Sequence, residues 1–275
     1  MIDLESLKAF GEAFKRVFDC LDRGISSWMS PVVYKRMERA KMLIEKERSD
    51  QNALIAIKEA MTQDLIEVAK TSRDRLELQN IAAIYGAAIS ELLNFDSSKF
   101  PAELPSNEWC AHFYDSVKDC SDEEIRVLWS KILAGEIKSP GKYFKRTLTN
   151  LKQIEKHEAE WFVKLCKYTI ENYYIPGFAV SDEFLHFNEL QSLVDCGFVN
   201  ANEGGFEINV NCTFPFKTKR LQIVVNDPPY LMQIYTLTDT GMQICDLVNV
   251  KTDETFINKL ISDINTSQKA TAIIV

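Results

Sequence analysis

The sequence lacks any hydrophobic run long enough to cross a membrane as a helix. Such a crossing takes about 20 mostly apolar residues, whereas the 46% of apolar residues in this 275-residue chain are spread over short segments. The N-terminus, MIDLESLKAF, also lacks the basic and then apolar pattern of a signal peptide. We therefore expect a globular protein of the cytoplasm.

Residues that build metal sites and nucleophilic centres are also few. The chain has three histidines, and its seven cysteines are scattered and never spaced as C-x-x-C. This pattern predicts reduced, mostly buried thiols and argues against a zinc site or a disulfide framework. Phosphate loops, H-E-x-x-H and G-x-S-x-G are missing too. We expect no metal and no cofactor, and the sequence favours a non-enzymatic protein.

Positive charge is in deficit, with 32 basic against 40 acidic residues and a net charge of −8. Because phosphate contact requires clustered lysine and arginine, this balance disfavours general affinity for nucleic acid.

Residues 121–162 carry the densest structural signal. A capping box of Ser121 and Glu124 predicts the start of a helix, and Pro140-Gly141 predicts its end. Two more helices are expected after this corner. The residues predicted to be buried in the three helices are Ile125, Leu128, Trp129, Ile132 and Leu133, then Phe144, Leu148, Leu151 and Ile154, then Ala159, Trp161, Phe162 and Leu165.

Glu136 and Arg146 lie on either side of Pro140-Gly141, where a helix–turn–helix could pair them near Trp129. One hypothesis makes them a ligand pocket in which Arg146 binds an anion. The other makes them a structural clamp between two helices, so that Arg146→Ala loses folded protein. We favour the clamp because no further acid, base or nucleophile is placed nearby by spacing.

The N-terminal region predicts amphipathic helices. One covers residues 3–28, and a second follows Pro31. Because basic residues outnumber acidic ones nine to five between Lys15 and Arg48, residues 4–46 could instead lie on a membrane surface, although two helices of a soluble bundle fit better. Residues 51–93 predict one long helix or two end to end, which could pair across a homodimer.

The last hundred residues mix helices and strands. A short helix should end at Gly197 in a left-handed cap, and Gly204-Gly205 should form a hairpin turn. Strands are expected at 221–225 and 231–235, with two helices and an edge strand after them. This order is typical of a winged-helix module with an enlarged wing. Between 177 and 250 there are three basic against nine acidic residues (3 − 9 = −6), which favours protein contact or structural support over DNA reading. The candidate residues for DNA contact are Lys217, Lys219 and Arg220.

The string L-W-x-K-I-L-A-G-E-I-x-x-P-G-x-x-x-x-R-T-L-x-x-L, Leu128 to Leu151, resembles the signature of a bacterial family known as domain of unknown function 2806. The strings R-L-E-L-Q-N-I, W-C-A-H-F, C-G-F-V and L-T-D-T-G fit the same resemblance, which covers roughly residues 70–250. The sequence departs from the family at 142–145, KYFK, where a small residue such as serine is expected. The resemblance implies no reaction, and it implies bacterial and mobile-element settings with a role in phage defence.

Together these patterns predict a mainly helical α+β protein. The expected domains are N-terminal helices (1–100), a central helical module around Trp109, Trp129 and Trp161 (101–176), and a winged-helix-like domain (177–275). The function favoured is a protein-interaction or scaffold protein that forms homo-oligomers. One alternative is a winged-helix DNA-binding regulator, which would have a basic surface on its wing. The other is a peripheral membrane effector that acts through residues 4–46.

Overall fold

The structure, a computed structural model, describes residues 4–24, 72–93, 95–216, 219–248, 250–251 and 253–275. In these ranges the protein is α+β and mainly helical, as predicted. Contacts divide the chain into two compact units, Met1–Lys152 and Gln153–Val275. The predicted central module, 101–176, contains residues of both units, and the three-domain division stays a prediction.

The first unit is built from helices. Their bounds are α1, Leu4–Gly24; α2, Ser72–Leu92; α3, Asn107–Val117; α4, Glu123–Lys138; and α5, Lys145–Gln153. Helix α1 packs against α2 and α3, and α2 packs against α4. The predicted end of the central helix before Pro140 is confirmed, because α4 stops at Lys138.

The helix N-termini are capped by short polar side chains. The sequence left Ser106 and Asn107 open as the cap of α3. Ser106 is the cap, because its hydroxyl accepts a hydrogen bond from the backbone N–H of Trp109, at 3.1 Å. The predicted Ser121 cap is wrong by one residue, because the Asp122 carboxylate accepts from Glu124 and Ile125 instead. A carboxylate bonds two N–H groups here and interacts favourably with the positive end of the helix dipole.

Aromatic side chains form the core of the first unit. Trp129 is 1% exposed, and its ring meets that of Phe113 edge-on at 5.6 Å. Trp109 stacks on the other side of Phe113 at 5.1 Å, and Tyr85 contacts the same ring edge-on. The burial of Trp109 and Trp129 is confirmed. Trp161, predicted in the same bundle, lies half-buried in the second unit.

The apolar face of α1 is used inside the first unit. Phe14, Val17, Phe18 and Leu21 are buried, where α1 packs on α2 and α3. This is the packing expected of a bundle helix and not of a helix on a membrane surface. Residues 25–46, the rest of the predicted membrane segment, lie outside the described residues. Within the described ranges no helix is long and apolar enough to cross a membrane.

The second unit combines helices with two small antiparallel sheets. Its helices are α6, Lys156–Leu165; α7, Phe187–Asp195; α8, Asp239–Val248; and α9, Glu254–Thr266. Its strands are β1, Tyr174–Pro176; β2, Gly204–Ile208; β3, Cys212–Phe216; β4, Lys219–Val225; β5, Tyr230–Thr236; and β6, Ala270–Ile274. The sheet orders are β1-β5-β2 and β3-β4-β6. The predicted strands at 221–225 and 231–235 and the closing edge strand are confirmed.

The predicted hairpin turn at Gly204-Gly205 is wrong. Both glycines lie in β2, opposite Ile234 and Gln233 of β5. The Leu231 side chain covers Gly205, with one methyl 2.8 Å from where a Cβ would stand. Glycine is used here because it lets a neighbouring side chain approach the backbone, and not because it reverses the chain.

The turn after α7 is bonded to the start of α8. Gly197 has a φ of +75° and ends α7 in the predicted left-handed cap. The Thr238 hydroxyl donates to the Gly197 carbonyl at 2.7 Å and accepts from the N–H of Gly241 at 3.0 Å. A Cβ on Gly241 would stand 2.1 Å from the Phe198 carbonyl oxygen. These contacts explain why C-G-F-V has a glycine at Gly197 and why L-T-D-T-G has Thr238 and Gly241.

We expect Gly241→Ala to destabilise the second unit by about 2 kcal/mol or more, because the added methyl meets backbone that cannot move without breaking the Gly197–Thr238 contact. Gly204→Ala is the matched control, since the nearest atom to its added Cβ is 4.0 Å away. Urea denaturation of both variants measures the difference. Equal midpoints would contradict the close approach of α8 to Phe198.

Candidate functional site

The corner at Pro140-Gly141 is organised by a buried carboxylate. Glu136 is 1% exposed, and its two oxygens accept hydrogen bonds from the backbone N–H groups of Gly141, at 2.6 Å, and Tyr143, at 2.9 Å. Gly141 has a φ of +86°, which glycine adopts without steric cost. The left-handed residue turns the chain back so that its N–H groups point at the last turns of α4.

Tyr143 fixes the same corner from two sides. Its ring lies against α4 at Gly135, where a Cβ would be 2.8 Å from the ring. Its carbonyl accepts a hydrogen bond from the indole N–H of Trp109, at 2.8 Å. Gly135 therefore leaves room for an aromatic ring beside the helix.

Arg146 has a different position from the one that the clamp hypothesis gave it. The side chain is exposed, and its guanidinium lies over the ring of Phe144 at 4.8 Å. Phe144, predicted to be buried, is 41% exposed. The structural clamp is thus made by Glu136 and backbone N–H groups, because a buried carboxylate is satisfied at lower cost by fixed backbone donors than by a long side chain that must be ordered.

The chemistry available at this corner is limited by these bonds. Burial raises the pKa of Glu136 above its ordinary value, although the N–H groups of Tyr143, Gly141 and Lys142 oppose the rise. Both carboxylate oxygens already hold the turn, which makes Glu136 a structural acceptor. Over the described parts of the chain, no group of three or more His, Cys, Asp or Glu side chains is placed to hold a metal.

A second buried polar network was missed by sequence reasoning. Asn80 is 7% exposed; its amide donates to the Lys118 carbonyl at 2.9 Å and accepts from Arg126 at 2.6 Å. Arg126 also donates to the Cys120 carbonyl, at 3.0 Å. Together they bind the α3–α4 turn to α2. The available signal was the asparagine of R-L-E-L-Q-N-I, a polar residue on an otherwise apolar face.

Two of the three DNA-contact candidates lie in β4. Lys217 is outside the described residues. Lys219 and Arg220 begin β4, and the backbone of Arg220, whose side chain is exposed, pairs with Val275.

The outer face of α7 is acidic and contains an exposed aromatic ring. Its sequence, FNELQSLVD, has no lysine or arginine. Phe187 is 60% exposed, and Gln191 and Asp195 follow it at helical spacing on the exposed side. Asp182, just before the helix, is exposed and hydrogen-bonded to His186 at 3.1 Å.

The inner side of α7 is bound to α6 through Glu158. Its carboxylate accepts from the Ser192 hydroxyl at 2.7 Å and from the backbone N–H of Glu155 at 2.9 Å. Burial, and then the hydrogen bond to Glu158, raise the pKa of the Cys196 thiol to about 12. A thiol that stays protonated is a poor nucleophile, so this Glu158–Ser192–Cys196 cluster supports packing of α6 on α7.

Comparison with known proteins gives one family match. Residues 68–175 match the model of a family described as Protein of unknown function (DUF2806), which confirms the resemblance over the segment that contains Trp129, Glu136 and Arg146. Residues 176–250, which the sequence included in the resemblance, lie outside the matched range. No curated protein and no solved structure matches the chain.

We expect Glu136→Gln to destabilise the protein by about 1–3 kcal/mol, because the amide has one acceptor oxygen and leaves a backbone N–H unpaired. The loss should also depend on pH. Since the folded-state pKa of Glu136 lies above its ordinary value of 4.5, the folded protein takes up this proton first as the pH falls. The free energy of unfolding of the wild-type protein, relative to that of the variant, should therefore be lowest above the folded-state pKa of Glu136. It should rise as the pH falls from that pKa towards 4.5.

Arg146→Ala is the control for this prediction and should cost at most about 1 kcal/mol, because the side chain is exposed and contacts Phe144. Guanidinium denaturation over a series of pH values measures both variants. A larger loss for Arg146→Ala than for Glu136→Gln would restore the original clamp hypothesis.

Cys196 should react slowly with iodoacetamide near neutral pH, with a rate that rises towards a midpoint near the thiol pKa of about 12. Glu158→Gln removes the negative charge beside the thiol and should lower that midpoint, so alkylation becomes faster. Peptide mass spectrometry assigns the modified residue, with Cys196→Ser as the blank. An unchanged rate in a folded Glu158→Gln variant would show that Glu158 does not control the thiol.

Proposed function

We propose that the chain is a non-enzymatic protein-interaction protein that self-associates and that uses the exposed face of α7 for protein contact. The order of elements in the second unit supports a winged-helix-like module. A helix (α6), a short strand (β1), a second helix (α7) and two antiparallel strands (β2 and β5) follow one another, with β5 between the other two strands. Strands β3 and β4 are an insertion between β2 and β5, in the place of an enlarged wing.

The charge of α7 is the observation that carries the proposal. In winged-helix and related DNA readers, the helix at this place enters the major groove, and cations on and around it contact phosphates. Here that helix has no cation and presents Asp195 and the exposed ring of Phe187, while its Glu189 is paired with Lys164 of α6 at 2.9 Å. An exposed aromatic side chain with a polar surround is typical of a protein-binding surface.

The first unit supports the non-enzymatic part of the proposal. Its most distinctive polar residues, Glu136, Asn80 and Arg126, bind backbone groups of the fold. Side chains that bind backbone groups in this way stabilise helix packing. The DNA-binding alternative rests on Lys217, Lys219 and Arg220. The membrane alternative rests on residues 4–46, although the apolar face of α1 is buried. The setting in phage defence stays a prediction.

Light scattering on the full chain tests the protein-contact function. We expect a species larger than the monomer, and Phe187→Ser should reduce it towards the monomer without changing the melting temperature. Val210→Ser is the matched control, because Val210 is another exposed apolar residue outside α7. Self-association that is equally strong in Phe187→Ser would remove α7 from the contact.

Fluorescence anisotropy with a labelled DNA duplex tests the alternative. Binding through phosphate contacts weakens steeply between about 50 and 200 mM salt. We expect no such salt-sensitive binding. Salt-sensitive binding that is lost in Arg220→Glu would contradict the proposal and support a DNA-binding regulator.

A further inference from the structure

The segment that contains α4, the corner and α5 has a strong excess of positive charge in this acidic chain. Residues 125–154 contain seven basic residues and one acidic residue, Glu136 (7 − 1 = +6), whereas the whole chain has a net charge of −8. The acidic residue is buried in the corner. Four exposed residues at the corner form what we call the basic patch: Lys142, Phe144, Lys145 and Arg146.

A surface of opposite charge lies on the second unit. Residues 177–250 have a net charge of −6, and four exposed residues on and before α7 form what we call the acidic patch: Asp182, Glu183, Phe187 and Asp195.

The two patches have a similar composition, one phenylalanine and three charged residues, but the charges are positive in one patch and negative in the other. Each has an exposed phenylalanine, 41% for Phe144 and 60% for Phe187. The other patch residues are basic around Phe144 and acidic around Phe187, although Glu108 pairs with Lys145 and Lys259 lies 4.0 Å from Glu183. An apolar centre with a polar rim is the usual arrangement of a protein–protein interface. Complementary rims increase the rate and the specificity of association.

The charges also decide which pairing is favoured. A two-fold contact that uses one patch twice would place like charges opposite each other, for the basic patch and for the acidic patch alike. A contact that joins two different patches is heterologous, and it repeats from copy to copy until a ring closes or a filament grows.

We propose that the basic patch of one copy binds the acidic patch of a second copy, head to tail. This inference rests on the proposed function, because it names the partner of the α7 face. Phosphate would also be attracted to the basic patch, but the chain itself supplies the complementary acidic surface with a matching aromatic centre. Nucleic acid is therefore left as an outcome of the test.

Two charge-reversal variants of the full chain test the pairing. One carries Lys142→Glu and Arg146→Glu, and the other carries Asp182→Lys and Asp195→Lys. All four positions are exposed, and the reversal at Asp182 also removes its hydrogen bond with His186. Each variant alone should lose self-association in light scattering, because both of its patches then have the same sign.

Mixing the two variants should restore assembly, because every basic patch then meets an acidic patch on the other variant. The assembly should contain the variants in equal amounts, shown by mass spectrometry of an isotope-labelled mixture. A single chain with all four reversals should assemble as well as the wild type, and assembly should weaken as salt is raised. A variant with Lys99→Glu and Lys156→Glu, exposed lysines outside both patches, changes the net charge equally and should assemble normally.

Three results would overturn the pairing. The first is self-association that survives both reversals but is lost in Phe187→Ser, which would leave the α7 contact standing with another partner surface. The second is a mixture that does not reassemble although both variants keep the wild-type melting temperature. The third is a monomeric wild-type chain that binds a labelled oligonucleotide and loses this binding in Lys142→Glu/Arg146→Glu, which would make the occupant of the basic patch a nucleic acid.

Discussion

The first unit depends on one buried carboxylate. Glu136 binds two backbone N–H groups of the turn that follows its own helix, and an ionised or polar group with no partner at this depth would cost several kcal/mol. This turn also positions the carbonyl of Tyr143, which accepts a hydrogen bond from the indole N–H of Trp109. The position of the Trp109 indole and the direction of α5 therefore both depend on the turn that Glu136 holds.

The polar residues of the interior and the exposed aromatic residues have different surroundings. The segment that matches the family contains three polar residues that bind backbone groups, Glu136, Asn80 and Arg126. Among the described residues, the large aromatic side chains with the greatest exposure are Phe144, in the basic patch, and Phe187, in the acidic patch.

Local patterns predicted much of the fold. The Ser106 cap, the end of α4 and the left-handed Gly197 depend on neighbours within a few residues, and sequence contains that information. The partners of Glu136 were missed because an obvious opposite charge, Arg146, is close in sequence while backbone donors have no sequence signature.

Strand pairing was harder to predict, because β2 pairs with β5 across an inserted pair of strands. The exposure of Phe144 and Phe187 depends on which helix covers each face, and helical periodicity alone does not decide it.

Hydrogen exchange at the Tyr143 amide is the most direct measurement of the central claim. In the wild-type protein this N–H is bound to Glu136 in a buried corner, and it should exchange only when the unit unfolds. In Glu136→Ala it should exchange at least about ten times faster than the amides of the α2 core, measured in the same sample, because a loss of about 1.4 kcal/mol in local stability gives that factor. A Tyr143 amide that stays as protected as the α2 core in Glu136→Ala would contradict the account.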